Sequence, residues 1–128
     1  RSSDLMFYSI DVNVKTDYLK AQSLPEKDRY VFSYTITIRN SGDIAAKLIS
    51  RHWVITDANG KKVEVKGEGV VGQQPFLNPG DAYQYTSGAI IETPLGSMHG
   101  SYQMIAEDGK SFDAVITPFT LSIPMALH

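Results

Sequence analysis

Apolar residues in this chain recur at every second position far more often than at every third or fourth. Ile10, Val12 and Val14 alternate with Ser9, Asp11, Asn13 and Lys15, the pattern of a strand with one buried face. Tyr30, Phe32, Tyr34, Ile36 and Ile38 share one face of the clearest strand, opposite Val31, Ser33, Thr35, Thr37 and Arg39. Aromatic and β-branched residues fill both registers, as a pleated surface favours. A third strand runs from Ala46 to Thr56, with Lys47, Ile49, Arg51, Trp53 and Ile55 on one face and Leu48, Ser50, His52 and Val54 on the other. Strands follow over Lys62–Lys66, with Val63 and Val65 inward, over Ala82–Ile91, with Tyr83 and Tyr85 on one face, and over Ser101–Glu107 and Ser111–Thr117. Pro118 interrupts the last, and Phe119, Leu121 and Ile123 make a short final strand. No window carries an amphipathic helical period.

Turn chemistry separates these runs. Asn40-Ser41-Gly42-Asp43 ends the second strand, and Asp57-Ala58-Asn59-Gly60 closes a hairpin in which Asn-Gly suits a type I′ turn. Asp108-Gly109 closes another; Gln22–Asp28, Gly67–Gly80 and Thr93–Gly100 read as loops. Seven or eight short strands with turns between them predict an all-β, two-sheet antiparallel sandwich of immunoglobulin or fibronectin-type-III-like architecture. The 128 residues show no linker, so one domain is expected across 1–128, with residues 1–6 as a flexible or expression-derived tail.

Composition narrows the chemistry. There is no cysteine, which excludes a disulfide framework, a thiolate metal site and a thiol nucleophile. Twelve basic against fourteen acidic residues argue against binding duplex nucleic acid, which needs a concentrated basic face. No apolar stretch approaches the ~18 residues of a membrane span, so the chain is expected not to be membrane-embedded, and it reads as cytoplasmic. Open sandwich edges allow copies to pair as a homodimer.

Candidate site chemistry is sparse. Gly67-Glu68-Gly69-Val70-Val71-Gly72 matches G-x-G-x-x-G, but a dinucleotide site needs those glycines to open a helix after a parallel strand. Pro75 and Pro79 follow, no helical period appears, and the better reading is a turn between strands. A weaker functional version keeps Lys66, Gly67, Gly69 and Gly72 as an anion-binding nest of backbone N–H groups. His52, His99 and His128 show no metal-ligand spacing; fourteen scattered carboxylates leave an oxygen-ligand site for a hard divalent cation open. No G-x-S-x-G elbow is present. Trp53 reads as core, whereas Arg51 and His99 are candidates for an interaction surface. Neither an enzymatic activity nor a cofactor is expected.

Several segments in order are similar to those of the bacterial ApaG family, also called CorD. They are Tyr30-Val31-Phe32-Ser33-Tyr34, Asn40-Ser41-Gly42, Leu48-Ile49-Ser50-Arg51-His52-Trp53, Gly67 through Pro75, Asn78-Pro79-Gly80, Tyr85-Thr86-Ser87-Gly88, Thr93 through Gly100 and Pro118-Phe119. The resemblance spans about Val12 to Pro124. It implies a fibronectin-type-III-like sandwich and an association with cobalt tolerance and magnesium efflux, with no settled biochemical activity. Related domains in larger eukaryotic proteins resemble interaction modules. Together these imply a non-enzymatic interaction or regulatory module with a protein partner such as a transport system; the alternative is a binder of a small anion, nucleotide or divalent cation at the glycine loop.

Overall fold

The structure, a computed structural model, describes residues 7–124; the expected tail over 1–6 and His128 lie outside them. Eight strands follow one another: β1 (Ile10–Tyr18), β2 (Tyr30–Asn40), β3 (Ala46–Asp57), β4 (Lys62–Glu68), β5 (Phe76–Leu77), β6 (Ala82–Ile91), β7 (Leu95–Ala106) and β8 (Ser111–Ser122). Two single-turn 3₁₀ segments, Lys20–Gln22 and Pro25–Lys27, occupy the polar stretch between β1 and β2. All pairings between strands are antiparallel. One sheet has the order β1-β2-β6; the other has β4-β3-β7-β8, with β5 also paired to β3. This is the expected immunoglobulin-like, fibronectin-type-III-like sandwich.

The core forms where the inner faces meet. Phe32, Ile36 and Ile38 of β2 pack with Leu48, Trp53, Met98, Tyr102 and Leu121 of the larger sheet. Trp53 stands edge-on to Tyr34, Tyr102 and Phe119, with ring centroids 5.4, 6.3 and 5.9 Å away, an arrangement aromatic quadrupoles favour.

The structure corrects four sequence expectations. First, strict alternation sets Leu48 opposite Trp53, yet both are buried. A β-bulge between Leu48 and Ser50 adds one residue, Ile49, to β3 and resets its faces. Second, Pro118 does not interrupt β8. Met98 faces Phe119 while Gly100 faces Ile116, so Thr117 and Pro118 together oppose His99. Pro118 thus sits in a bulge on an edge strand, where a missing N–H is tolerated. Third, Leu95–Gly100 belongs to β7 and not to a loop. Gly100 is a strand residue of close approach: a Cβ there would lie 1.9 Å from the His52 carbonyl oxygen. Fourth, Val63 and Val65 are in register with Ile55 and Trp53 but remain 45% and 36% exposed. β4 is an edge strand of the wider sheet, and the three-stranded sheet leaves it partly uncovered.

The turns also differ from expectation. In Asp57–Gly60 only Gly60 has positive φ, with the Gly60 N–H bonded to the Asp57 carbonyl and the Asp57 N–H to the Lys61 carbonyl. That is a type I turn closed by a left-handed glycine. The type I′ turn lies elsewhere, at Val71-Gly72, where φ is 48° and 76°.

Candidate functional site

The feature that gathers most of the candidate residues is the β3–β4 ladder and the loop that leaves it. Ser50 faces Glu68, Arg51 faces Gly67, and His52 faces Lys66. Alternation turns Arg51 towards the interior side with Trp53, and turns Ser50 and His52 outward.

Arg51 fastens the glycine loop from within. Its Nη1 donates to the Glu68 carbonyl at 3.0 Å and to the Gly69 carbonyl at 2.8 Å. The guanidinium lies flat against Gly67, where a Cβ would come 2.8 Å from Cζ, Nη1 and Nη2. Gly67 is therefore glycine because Arg51 occupies the space of its side chain. Beneath it lies the buried pair Tyr85 and Tyr102, whose hydroxyls are hydrogen-bonded. Burial pushes both phenols well above the ordinary tyrosine value, while the Arg51 charge pulls each the other way.

Beyond Glu68 the chain makes a compact excursion. Gly69 N–H donates to the Ile49 carbonyl; Val70 and Gln73 exchange backbone bonds in both directions around the Val71-Gly72 turn. Val70 is fully buried, whereas Val71 at the tip is 62% exposed. Gln74 Nε2 donates to the Ile49 carbonyl at 2.8 Å, and Leu48 N–H to the Pro75 carbonyl. The bulged Ile49 thus supplies the carbonyl that ties down both arms of the loop.

On the outer face, Ser50, Arg51, His52, Lys66, Gly67, Glu68 and Gln103 line an open groove of about 460 Å³. Ser50 Oγ donates to Gln103 Oε1 at 2.8 Å. His52 Nε2 lies 2.7 Å from Glu64 Oε2. That bond, then the His52 and Lys66 charges, holds the Glu64 carboxyl below the usual carboxylate range. The groove offers donors and acceptors of both signs on a shallow floor.

The expected site residues divide accordingly. Arg51, Lys66 and Gly67 come together at the groove. Gly69 and Gly72 sit in the adjoining turn. His99 is on the outer face opposite Val54, beside a separate hollow of about 400 Å³ with Lys62, Val63 and Glu64. Three N–H groups of the loop, those of Gly69, Val70 and Gln73, already bond to carbonyls. Within the turn this leaves the N–H groups of Val71 and Gly72 for any anion. Among the described residues no group of three His, Asp or Glu side chains could hold a metal ion, and no helix is long and apolar enough to cross a membrane.

Sequence reasoning missed two elements. The His52–Glu64 pair follows from folding the β3–β4 hairpin about its turn, which sets the two one diagonal step apart. The strained Val71 gave no signal, because a turn of this type is marked by Asn-Gly and not Val-Gly.

Comparison with known proteins agrees with this architecture. The family model described as the ApaG domain matches residues 20–106. The Protein ApaG of Pseudomonas entomophila is 60% identical over 121 residues, covering 94% of this chain and 96% of that protein. An X-ray structure of a structural-genomics target superposes with a TM-score of 0.88 at 57% identity, covering 94% of this chain and 91% of the other. The crystal structure of an ApaA protein from Bordetella pertussis gives a TM-score of 0.90 at 45% identity, with 93% and 97% covered. With a matched domain that includes the Arg51 ladder and the glycine loop, and a relative this similar across nearly its whole length, the chain belongs to the ApaG family.

Proposed function

We propose that this chain is a non-enzymatic interaction module that engages a protein partner through the loop at residues 69–76. One observation carries the reading: a tightly fastened loop displays apolar side chains to solvent. Val71 is β-branched, adopts the left-handed region at φ 48°, and is 62% exposed. A β-branched residue there is disfavoured by about 1–2 kcal/mol, and no core contact compensates at the tip. Phe76, 50% exposed, stands at the loop's far end. Apolar side chains held rigidly at the surface lose little entropy on binding and make effective anchors. The ApaG resemblance directs the partner towards a cation-transport system connected with cobalt tolerance and magnesium efflux, met in the cytoplasm.

The competing reading, a small-anion or divalent-cation site, has Lys66 in its favour but only two open N–H groups in the turn. Both readings meet one experiment. Immobilised wild-type chain and a V71D/F76S variant of unchanged melting temperature are exposed to cytosolic and membrane extracts at physiological salt. The interaction reading expects a defined partner retained by the wild type and lost by the variant; equal retention by both, or by neither, refutes it. Calorimetry with pyrophosphate, cobalt and magnesium runs in parallel, and saturable binding abolished by K66A would favour the ligand reading.

A further inference from the structure

We infer that two copies of this chain pair through β6, edge to edge and antiparallel, to continue the three-stranded sheet across a two-fold axis. The inference does not depend on the proposed function. It starts from how the four long edges of the sandwich are protected. A free edge strand is normally blunted by charge, proline or a bulge, because its unpaired amides invite another strand. β1 carries Asp11, Lys15 and Asp17; β4 carries Lys62, Glu64, Lys66 and Glu68; β8 carries Asp113 and the Pro118 bulge. β6, at the edge of the smaller sheet, has none of these. Ala82–Ile91 contains no Asp, Glu, Lys, Arg or Pro, and it pairs with β2 from Tyr30 to Arg39 without a register shift.

The phase of the ladder shows what that edge offers. Asn40 N–H bonds to the Asp81 carbonyl at 2.9 Å, so the odd-numbered residues of β6 turn their amides towards β2. Ala82, Gln84, Thr86, Gly88 and Ile90 then turn N–H and C=O outward. Among the described residues no backbone hydrogen bond outside the ladder uses them. The flank exposes one apolar side chain: Ile90 is 53% exposed, beside a groove lined by Ile55, Val63 and Ile91 and by the charged Asp57, Lys61 and Glu92.

A second copy suits this edge because the strand is complementary to its own image. Antiparallel pairing centred on Thr86 sets Thr86 against Thr86 of the second copy, Gln84 against Gly88, and Ala82 against Ile90. Every outward amide gains a partner, large side chains meet small ones, and no charge meets its like. The half-exposed Tyr83 of the second copy falls against Ala89.

Sedimentation equilibrium across micromolar to millimolar concentrations tests this. The wild type is expected to approach twice the 14.1 kDa chain mass, and T86K, which faces two ammonium groups across the axis, to weaken association by about ten-fold or more. A thiol provides the second reading, since the chain has no cysteine of its own. Facing Cα atoms in a hydrogen-bonded antiparallel pair lie ~5.5 Å apart, within disulfide reach, so T86C should form a covalent dimer under mild oxidation and K66C on β4 should not. Wild type that stays monomeric at millimolar concentration overturns the inference. So does a dimer that T86K leaves intact, or equal cross-linking of T86C and K66C. If T86K fails to fold, T86C against K66C decides alone.

Discussion

Replacing Gly67 with alanine tests whether the Arg51 guanidinium is what makes that position glycine. The new Cβ would sit 2.8 Å from three guanidinium atoms. These are the end of a flexible side chain, so Arg51 can swing away and the clash itself is cheap. What is lost is the pair of bonds to the Glu68 and Gly69 carbonyls. Hydrogen bonds from a charged donor contribute about 1.5–3 kcal/mol each when well shielded. The bond to Glu68 is exposed and the bond to Gly69 part-buried, so about 2 kcal/mol for the two together is a fair allowance after screening. Alanine in a strand returns about 0.5–1 kcal/mol through the unfolded state. G67A should therefore destabilise by about 1–1.5 kcal/mol.

The double mutant isolates the cause. R51A alone should cost about 2–3 kcal/mol, bonds plus the packing of its stem. In that background the space beside Gly67 is vacant, and G67A should become stabilising by about 0.5–1 kcal/mol. The cycle thus predicts a coupling of about 2 kcal/mol. Urea unfolding followed by the fluorescence of Trp53, the chain's single tryptophan and 2% exposed, measures all four species. If G67A costs as much in the R51A background as in the wild type, or stabilises the wild type, the reasoning is wrong.

Three further predictions come from the same neighbourhood. V71N should raise stability by about 1 kcal/mol, since asparagine tolerates the left-handed conformation of a type I′ turn far better than valine; an unchanged or lower urea midpoint would show that the tip is not strained. Burial holds the Tyr85 and Tyr102 phenols protonated in the fold. Their raised folded values make stability fully present below about pH 10, the ordinary tyrosine value, and lost as pH rises beyond it. Phenolate absorbance should fall short of the seven tyrosines until Trp53 fluorescence reports unfolding, and ionisation of all seven in the folded state would contradict this. Glu64, held low by His52, contributes stability above the ordinary carboxylate range that fades as pH falls through its depressed folded value. A carbon-detected NMR titration should place its midpoint below the ordinary carboxylate range, and H52A should move it back up.

The fold was legible because most strands alternate cleanly, and it failed where one residue broke the count. Ile49 and the Thr117-Pro118 pair are each an extra residue in a ladder. A bulge reverses the faces after it, so a reading by strict alternation sends Leu48 to the wrong side and ends β8 at the proline. The loop expected from Thr93 to Gly100 failed for a related reason. Glycine marks turns in most sequences, but Gly100 marks the close approach of one strand to the next, and sequence alone does not separate the two.

The candidate site shows the opposite limit. Its composition was legible, and the reading of the glycines as a turn agrees with positive φ at Gly69 and Gly72, but the role of Gly67 was not legible. G-x-G-x-x-G suggests backbone N–H groups gathered for an anion. The structure spends three loop N–H groups on carbonyls and sets Arg51 against the carbonyls of Glu68 and Gly69. Gly67 makes room for a cation, Gly69 and Gly72 take positive φ, and the motif is a fastening built around a guanidinium. The base is fixed by Arg51, Gln74 and buried Val70, whereas Val71 at the tip is 62% exposed. The strained, exposed Val71 is therefore the feature on which the proposed partner contact rests, and the V71D/F76S comparison tests it.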